Sequence, residues 1–138
     1  MARSLWRAAT RILACMTILI VDDPREPSRK ALELWLAAFG ARVGAADDGE
    51  HALRTLETVT PDVILCDLGL PGMDSVTFAR CVRAQPQWAG ITLIAMSRIS
   101  QADAVMGELR AAGFSDHLSK PFDLFGVVER LTRRPPHT

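Results

Sequence analysis

The sequence predicts an α/β fold, a doubly wound parallel sheet of five strands with helices packed on both faces. Two observations predict it. Short apolar runs of strand length recur along the chain, and they alternate with longer stretches whose apolar residues fall at helical spacing. Parallel strands need crossover connections, which helices supply. The composition agrees. With 49% hydrophobic and 23% charged residues, a 138-residue chain is that of one globular domain and not of a disordered one. Nine Gly and eight Pro without a repeat exclude collagen-like or low-complexity structure.

The elements follow in order. Ile18-Leu19-Ile20-Val21 is a continuous apolar run, as in a strand buried on both faces. Leu32, Trp35, Leu36 and Phe39 stand at i, i+3, i+4 and i+7, an amphipathic helix closed by Gly40. Residues 41–45 make a weak strand, and residues 49–58 a helix carrying Leu53 and Leu56. Val63-Ile64-Leu65-Cys66 is a second buried strand run. Residues 75–84 form a helix with Phe78, Cys81 and Val82 inward, and Ile91 to Ala95 the fourth strand. A helix over 101–112 uses Val105, Leu109 and Ala112 and is capped by Gly113. A short strand near 115–118 precedes a last helix with Leu124, Val127, Val128 and Leu131.

The ends differ from this body. Residues 1–16 contain Arg3, Arg7 and Arg11 and no acid, and Leu5, Trp6, Ala9, Ile12 and Leu13 would form an apolar stripe on a helix. The segment reads as an amphipathic arm for a membrane surface or partner, or as a loose extension with the domain spanning residues 17–132. Its arginines interrupt any secretory signal core. Residues 133–138, with two prolines, read as a frayed tail. Formal net charge is zero, but residues 17–132 keep all sixteen acids and lose five arginines, which leaves −5. That argues against nucleic acid as a partner. The odd cysteine set, Cys15, Cys66 and Cys81, has no CxxC spacing and points to a reducing, cytoplasmic setting. No apolar run approaches the ~20 residues of a membrane span.

In open sheets of this kind, ligands sit beyond the carboxyl ends of the strands. There the sequence places Asp22 and Asp23 after strand one, Asp67 after strand three, Ser97 near the end of strand four, and Lys120-Pro121 after strand five. Converging carboxylates repel one another, and a hard divalent cation relieves the repulsion. Magnesium suits a few carboxylates, waters and a phosphate oxygen, and a lysine opposite them suits a phosphoryl group. An Asp is then available as a nucleophile that forms an aspartyl-phosphate. The acidic loop after strand one excludes a flavin phosphate cradle.

These stretches, Ile18 to Asp23, Asp62 to Asp74, Ser97, and Leu118-Ser119-Lys120-Pro121-Phe122, resemble the receiver domain of two-component response regulators over about residues 16–132. The resemblance implies a flavodoxin-like fold with strand order 2-1-3-4-5. It implies that Asp67 accepts a phosphoryl group from a histidine kinase or phosphotransfer protein. Asp23, Asp67 and the carbonyl of Gly69 would bind Mg²⁺ directly, and Asp22 through water. Lys120 would contact the phosphoryl oxygens, and Ser97 would hydrogen-bond the attached group. Pro121 matches a position of cis peptide geometry.

Four departures stand out. His117 occupies the position of an aromatic switch residue, and reads either as that switch or as a surface histidine on an edge strand. Arg98 follows Ser97 where the family prefers a small side chain. Ser75 replaces a glycine and is expected to cap the third helix. Pro24 and Pro27 follow the acidic pair. The expected function is a stand-alone phosphorylation switch, not an enzyme with turnover. Output would pass to a downstream protein over the 100–132 face, to a homodimer, or through onward phosphotransfer. Two other readings are a phosphate-independent docking module and the receiver segment of a hybrid kinase.

Overall fold

The structure, a computed structural model, describes residues 12–121 and 123–132; for residues 98–104 the description is confined to the backbone. The Leu5, Trp6 and Ala9 part of the N-terminal stripe, the tail 133–138, Phe122 and the Arg98 side chain therefore lie outside it. The strands are β1 (Thr17–Val21), β2 (Arg42–Ala46), β3 (Val63–Asp67), β4 (Thr92–Arg98) and β5 (Phe114–Lys120). The helices are α1 (Pro27–Ala38), α2 (Gly49–Leu56), α3 (Ser75–Arg83), α4 (Ile99–Ala112) and α5 (Leu124–Thr132), with a 3-10 turn at Pro86–Trp88 before β4. The strands form one sheet in the order β2-β1-β3-β4-β5, and every pairing is parallel.

Alternate residues of a strand face opposite sides, so each buried strand feeds two cores. On one side Leu19, Val21, Ile64, Cys66, Leu93 and Ala95 pack beneath α2, α3 and α4, which contribute Leu56, Phe78, Val82 and Leu109. On the other, Ile18, Ile20, Val63, Leu65, Ile94 and Met96 pack beneath α1 and α5 through Leu32, Leu36, Val127 and Leu131. Leu13 joins this second core with no exposed surface. Its N–H donates to the Phe39 carbonyl at 2.9 Å. Cys81, expected inward, is only half-buried, whereas Phe78 and Val82 are buried.

Local chemistry sets the helix ends. Pro27 opens α1, where its missing N–H is not needed. Asp48 caps α2 by accepting from the His51 N–H at 2.8 Å. The cap of α3 is Asp74 and not Ser75: extended backbone at Asp74 brings its carboxylate to the Thr77 N–H at 2.8 Å, and Ser75 becomes the first helical residue. Gly113, at φ +124°, ends α4.

β5 runs longer than the sequence pattern suggests. Its polar residues fit an edge strand, and a register shift at Leu93/Ile94 sets Ser115 out of the ladder. Beyond that shift Ser97 pairs with Ser119, and Arg98 with Lys120.

Candidate functional site

The register Val21↔Cys66 brings the ends of β1 and β3 side by side, with Asp22 just past one and Asp67 closing the other. Lys120, the last residue of β5, reaches across to both. Its Nζ lies 3.0 Å from Asp22 Oδ2 and 3.1 Å from Asp67 Oδ1. The Lys120–Pro121 peptide bond is cis.

Asp22 is 1% exposed, and its second oxygen accepts the Asp23 N–H at 2.8 Å. Burial pushes its carboxyl above the ordinary value, and the bond to Lys120 opposes that rise. Burial pulls the Lys120 ammonium down, but its bonds to Asp22 and Asp67 outweigh this and leave it raised. Asp67 also accepts the Gly69 N–H on Oδ2 at 3.1 Å. A Cβ added at Gly69 would stand 3.4 Å from that oxygen, so the turn is close to the carboxylate. The Ser75 hydroxyl donates to the Asp67 carbonyl at 3.4 Å, the task this residue performs instead of capping.

Asp23 is engaged elsewhere. The Arg25 guanidinium grips it with Nε to Oδ1 at 3.1 Å and Nη2 to Oδ2 at 2.9 Å, and the Arg25 backbone N–H adds a third bond at 2.8 Å. These bonds hold the Asp23 carboxyl down at about 2. Arg29 donates to the Asp22 carbonyl at 2.8 Å and to Asp47 at 2.7 Å. Sequence reasoning missed Arg25, Arg29 and Asp47. For Arg25 the signal was present, since an Asp two residues before it is the spacing of an Asx turn. Arg29 and Asp47 meet only through the fold.

Ser97 lies inside β4, buried at 4% exposure, and its Oγ shares a 2.8 Å hydrogen bond with His117 Nε2. His117 is half-buried on the edge strand β5. The His117 N–H donates to Asp116 Oδ1 at 2.7 Å, and Arg130 donates to both Asp116 and the His117 carbonyl.

The structure thus gathers Asp22, Asp67, Gly69 and Lys120, and sets the Ser97–His117 pair on the neighbouring strands. The donors offered to a metal are all oxygen, which fits Mg²⁺. No three such side chains are already drawn together among the described residues.

Comparison with known proteins identifies the class. Residues 18–132 match the family described as the response regulator receiver domain. The chain is 36% identical over 114 residues to the KDP operon transcriptional regulatory protein KdpE of Escherichia coli, covering 83% of this chain and 48% of that protein. It therefore spans about half the length of that relative. The chemotaxis response regulator CheY4 of Vibrio cholerae superposes with a TM-score of 0.78 at 28% identity, over 86% of this chain and 97% of that one. The receiver domain of sensor histidine kinase PA1611 from Pseudomonas aeruginosa, which has a magnesium ion coordinated in its active-site cleft, gives 0.76 at 31% identity, over 87% and 97%. The chain belongs to the response regulator receiver family, with its flavodoxin-like, CheY-type fold. Among the described residues no helix is long and apolar enough to cross a membrane.

Proposed function

We propose that this receiver accepts a phosphoryl group on Asp67 from a phosphohistidine of a kinase or phosphotransfer protein, and that the modified site changes what the face of α4, β5 and α5 binds. The observation that carries this is the Lys120 ammonium standing between the Asp22 and Asp67 carboxylates. It supplies a fixed positive charge beside the nucleophile, where phosphoryl oxygens would arrive.

In the transfer, an Asp67 carboxylate oxygen attacks phosphorus as the P–N bond to the donor imidazole breaks. An acyl phosphate forms, and the imidazole leaves and takes up a proton. Asp23, Asp67 and the Gly69 carbonyl would hold Mg²⁺ directly and Asp22 through water; when bound, the ion neutralises the phosphoryl oxygens. Lys120 orients those oxygens. Once the group is attached, Ser97 donates its hydroxyl to it and so changes the bond it shares with His117 on β5. That movement on the partner face is the switch.

The test is exposure of the purified protein to a small phosphodonor with Mg²⁺, read by intact mass, beside Asp67→Asn. Gain of one phosphoryl group by the wild type alone supports the reading. If neither protein reacts, the experiment is repeated with phosphorylated kinase. No gain in either experiment, and no Mg²⁺ binding, would leave a phosphate-independent docking module.

A further inference from the structure

Besides Lys120, two arginines reach the acidic pair, and they behave differently. Arg29 is largely buried and is used up on the Asp22 carbonyl and on Asp47. Arg25 is 87% exposed, and the contacts its side chain makes are to Asp23. It does so from within a tight local turn. Pro24 between them restricts the backbone, the Arg25 N–H already bonds Asp23 Oδ1, and the Glu26 N–H donates to the Asp23 carbonyl at 3.0 Å. Both carboxylate oxygens face a planar fork that the turn has placed in advance.

We infer that Arg25 is an internal competitor for the metal-binding carboxylate: it neutralises Asp23 when no cation is bound, and so sets the concentration of Mg²⁺ at which the site fills. The inference rests on the reading of Asp23 as a magnesium ligand. A divalent ion on Asp23 has to share the carboxylate with the Arg25 fork, since Oδ1 already accepts two N–H groups and Oδ2 one. Either the guanidinium lets go, or it stays as a like charge beside the ion. Both routes weaken binding. The exposed arginine has somewhere to go, because it can move into water without opening the fold.

The experiment is Mg²⁺ titration at constant ionic strength, followed by amide chemical shifts. The proteins are wild type, Arg25→Gln, Arg25→Lys, Asp23→Asn and the Asp23→Asn/Arg25→Gln double variant. Arg25→Gln binds Mg²⁺ on the order of two- to fivefold more tightly, as loss of an exposed but well-aligned ion pair implies. Arg25→Lys, which keeps the charge and loses the fork, falls between. With Asp23→Asn the Arg25 substitution loses its effect. If wild type binds Mg²⁺ and Arg25→Gln binds it equally or more weakly, the inference is wrong and the metal reading stands. A gain that persists in the double variant overturns the inference equally. If no protein in the set binds Mg²⁺, the metal reading itself falls and takes this inference with it.

Discussion

Leu13 lies before the first residue of the family match, yet it belongs to the core. Its side chain is fully buried against the α1 and α5 face of the sheet, among Ile18, Leu36 and Leu131. The backbone holds it there: the Met16 N–H donates to the Leu13 carbonyl at 3.0 Å, and the Arg42 N–H to the Met16 carbonyl at 2.9 Å. Truncating a buried leucine to alanine loses its transfer free energy and leaves a cavity, which together cost about 2–5 kcal/mol. With no exposed surface and anchored backbone on both sides, Leu13→Ala belongs near the middle of that range, at roughly 3 kcal/mol. For a domain of this size that lowers Tm by about 10 °C. Urea unfolding followed by circular dichroism measures it, with the m-value unchanged. Ile12→Ala, at a neighbour that is 50% exposed, is the control and stays within about 0.5 kcal/mol of wild type. If Leu13→Ala is no more destabilising than Ile12→Ala, Leu13 does not contribute to the core and the reasoning is refuted.

Three other predictions concern the body of the domain. Gly113→Ala places a Cβ 2.8 Å from Arg83 Cγ and Nε at a backbone φ of +124°, so it destabilises by about 1–3 kcal/mol in the same urea assay; a change under about 0.5 kcal/mol would contradict this. Burial pushes the Cys66 thiol up to about 12, whereas Cys15 is exposed. A maleimide at about pH 8 therefore labels Cys15 in the native protein and Cys66 only after denaturation, as peptide mapping would report. The Asp22 carboxyl is raised by burial, so the fold binds that proton more tightly than the unfolded chain does. Its stabilising contribution is complete below the ordinary pKa of 3.8 and is lost as pH rises through the raised value. Asp22→Asn accordingly gains stability relative to wild type as pH rises above about 4, and a relative loss over that rise would show the sign to be wrong.

Much of the architecture was legible because parallel strands buried on both faces advertise themselves as unbroken apolar runs, as at Ile18 to Val21 and Val63 to Cys66. β5 was harder. Phe114 to Lys120 holds only two apolar residues, Phe114 and Leu118, among polar ones on an edge, so its ends blur into the loops. Asp22, Asp67, Ser97 and Lys120 could be named from sequence because strand ends converge by topology. Their pairing could not. Nothing in the linear order says that Lys120 bridges two carboxylates, or that Asp74 and not Ser75 reaches the Thr77 N–H in the first turn of α3. Each depends on side-chain direction, which follows from backbone dihedrals and not from spacing.

Trp35 has a use beyond packing. It lies 4.4 Å from the Phe39 ring, centroid to centroid, and edge-on to Phe125 at 6.4 Å. Phe125 is 78% exposed and stands second in α5, the helix that follows the Lys120–Pro121 turn. The indole thus sits where α1 meets the start of α5, while Trp88 is almost fully enclosed in the opposite core. The protein carries its own optical probe: in a Trp6→Phe background, light emitted from Trp35 reports on whatever covers or displaces Phe125, against that of the enclosed Trp88, and no dye need be attached.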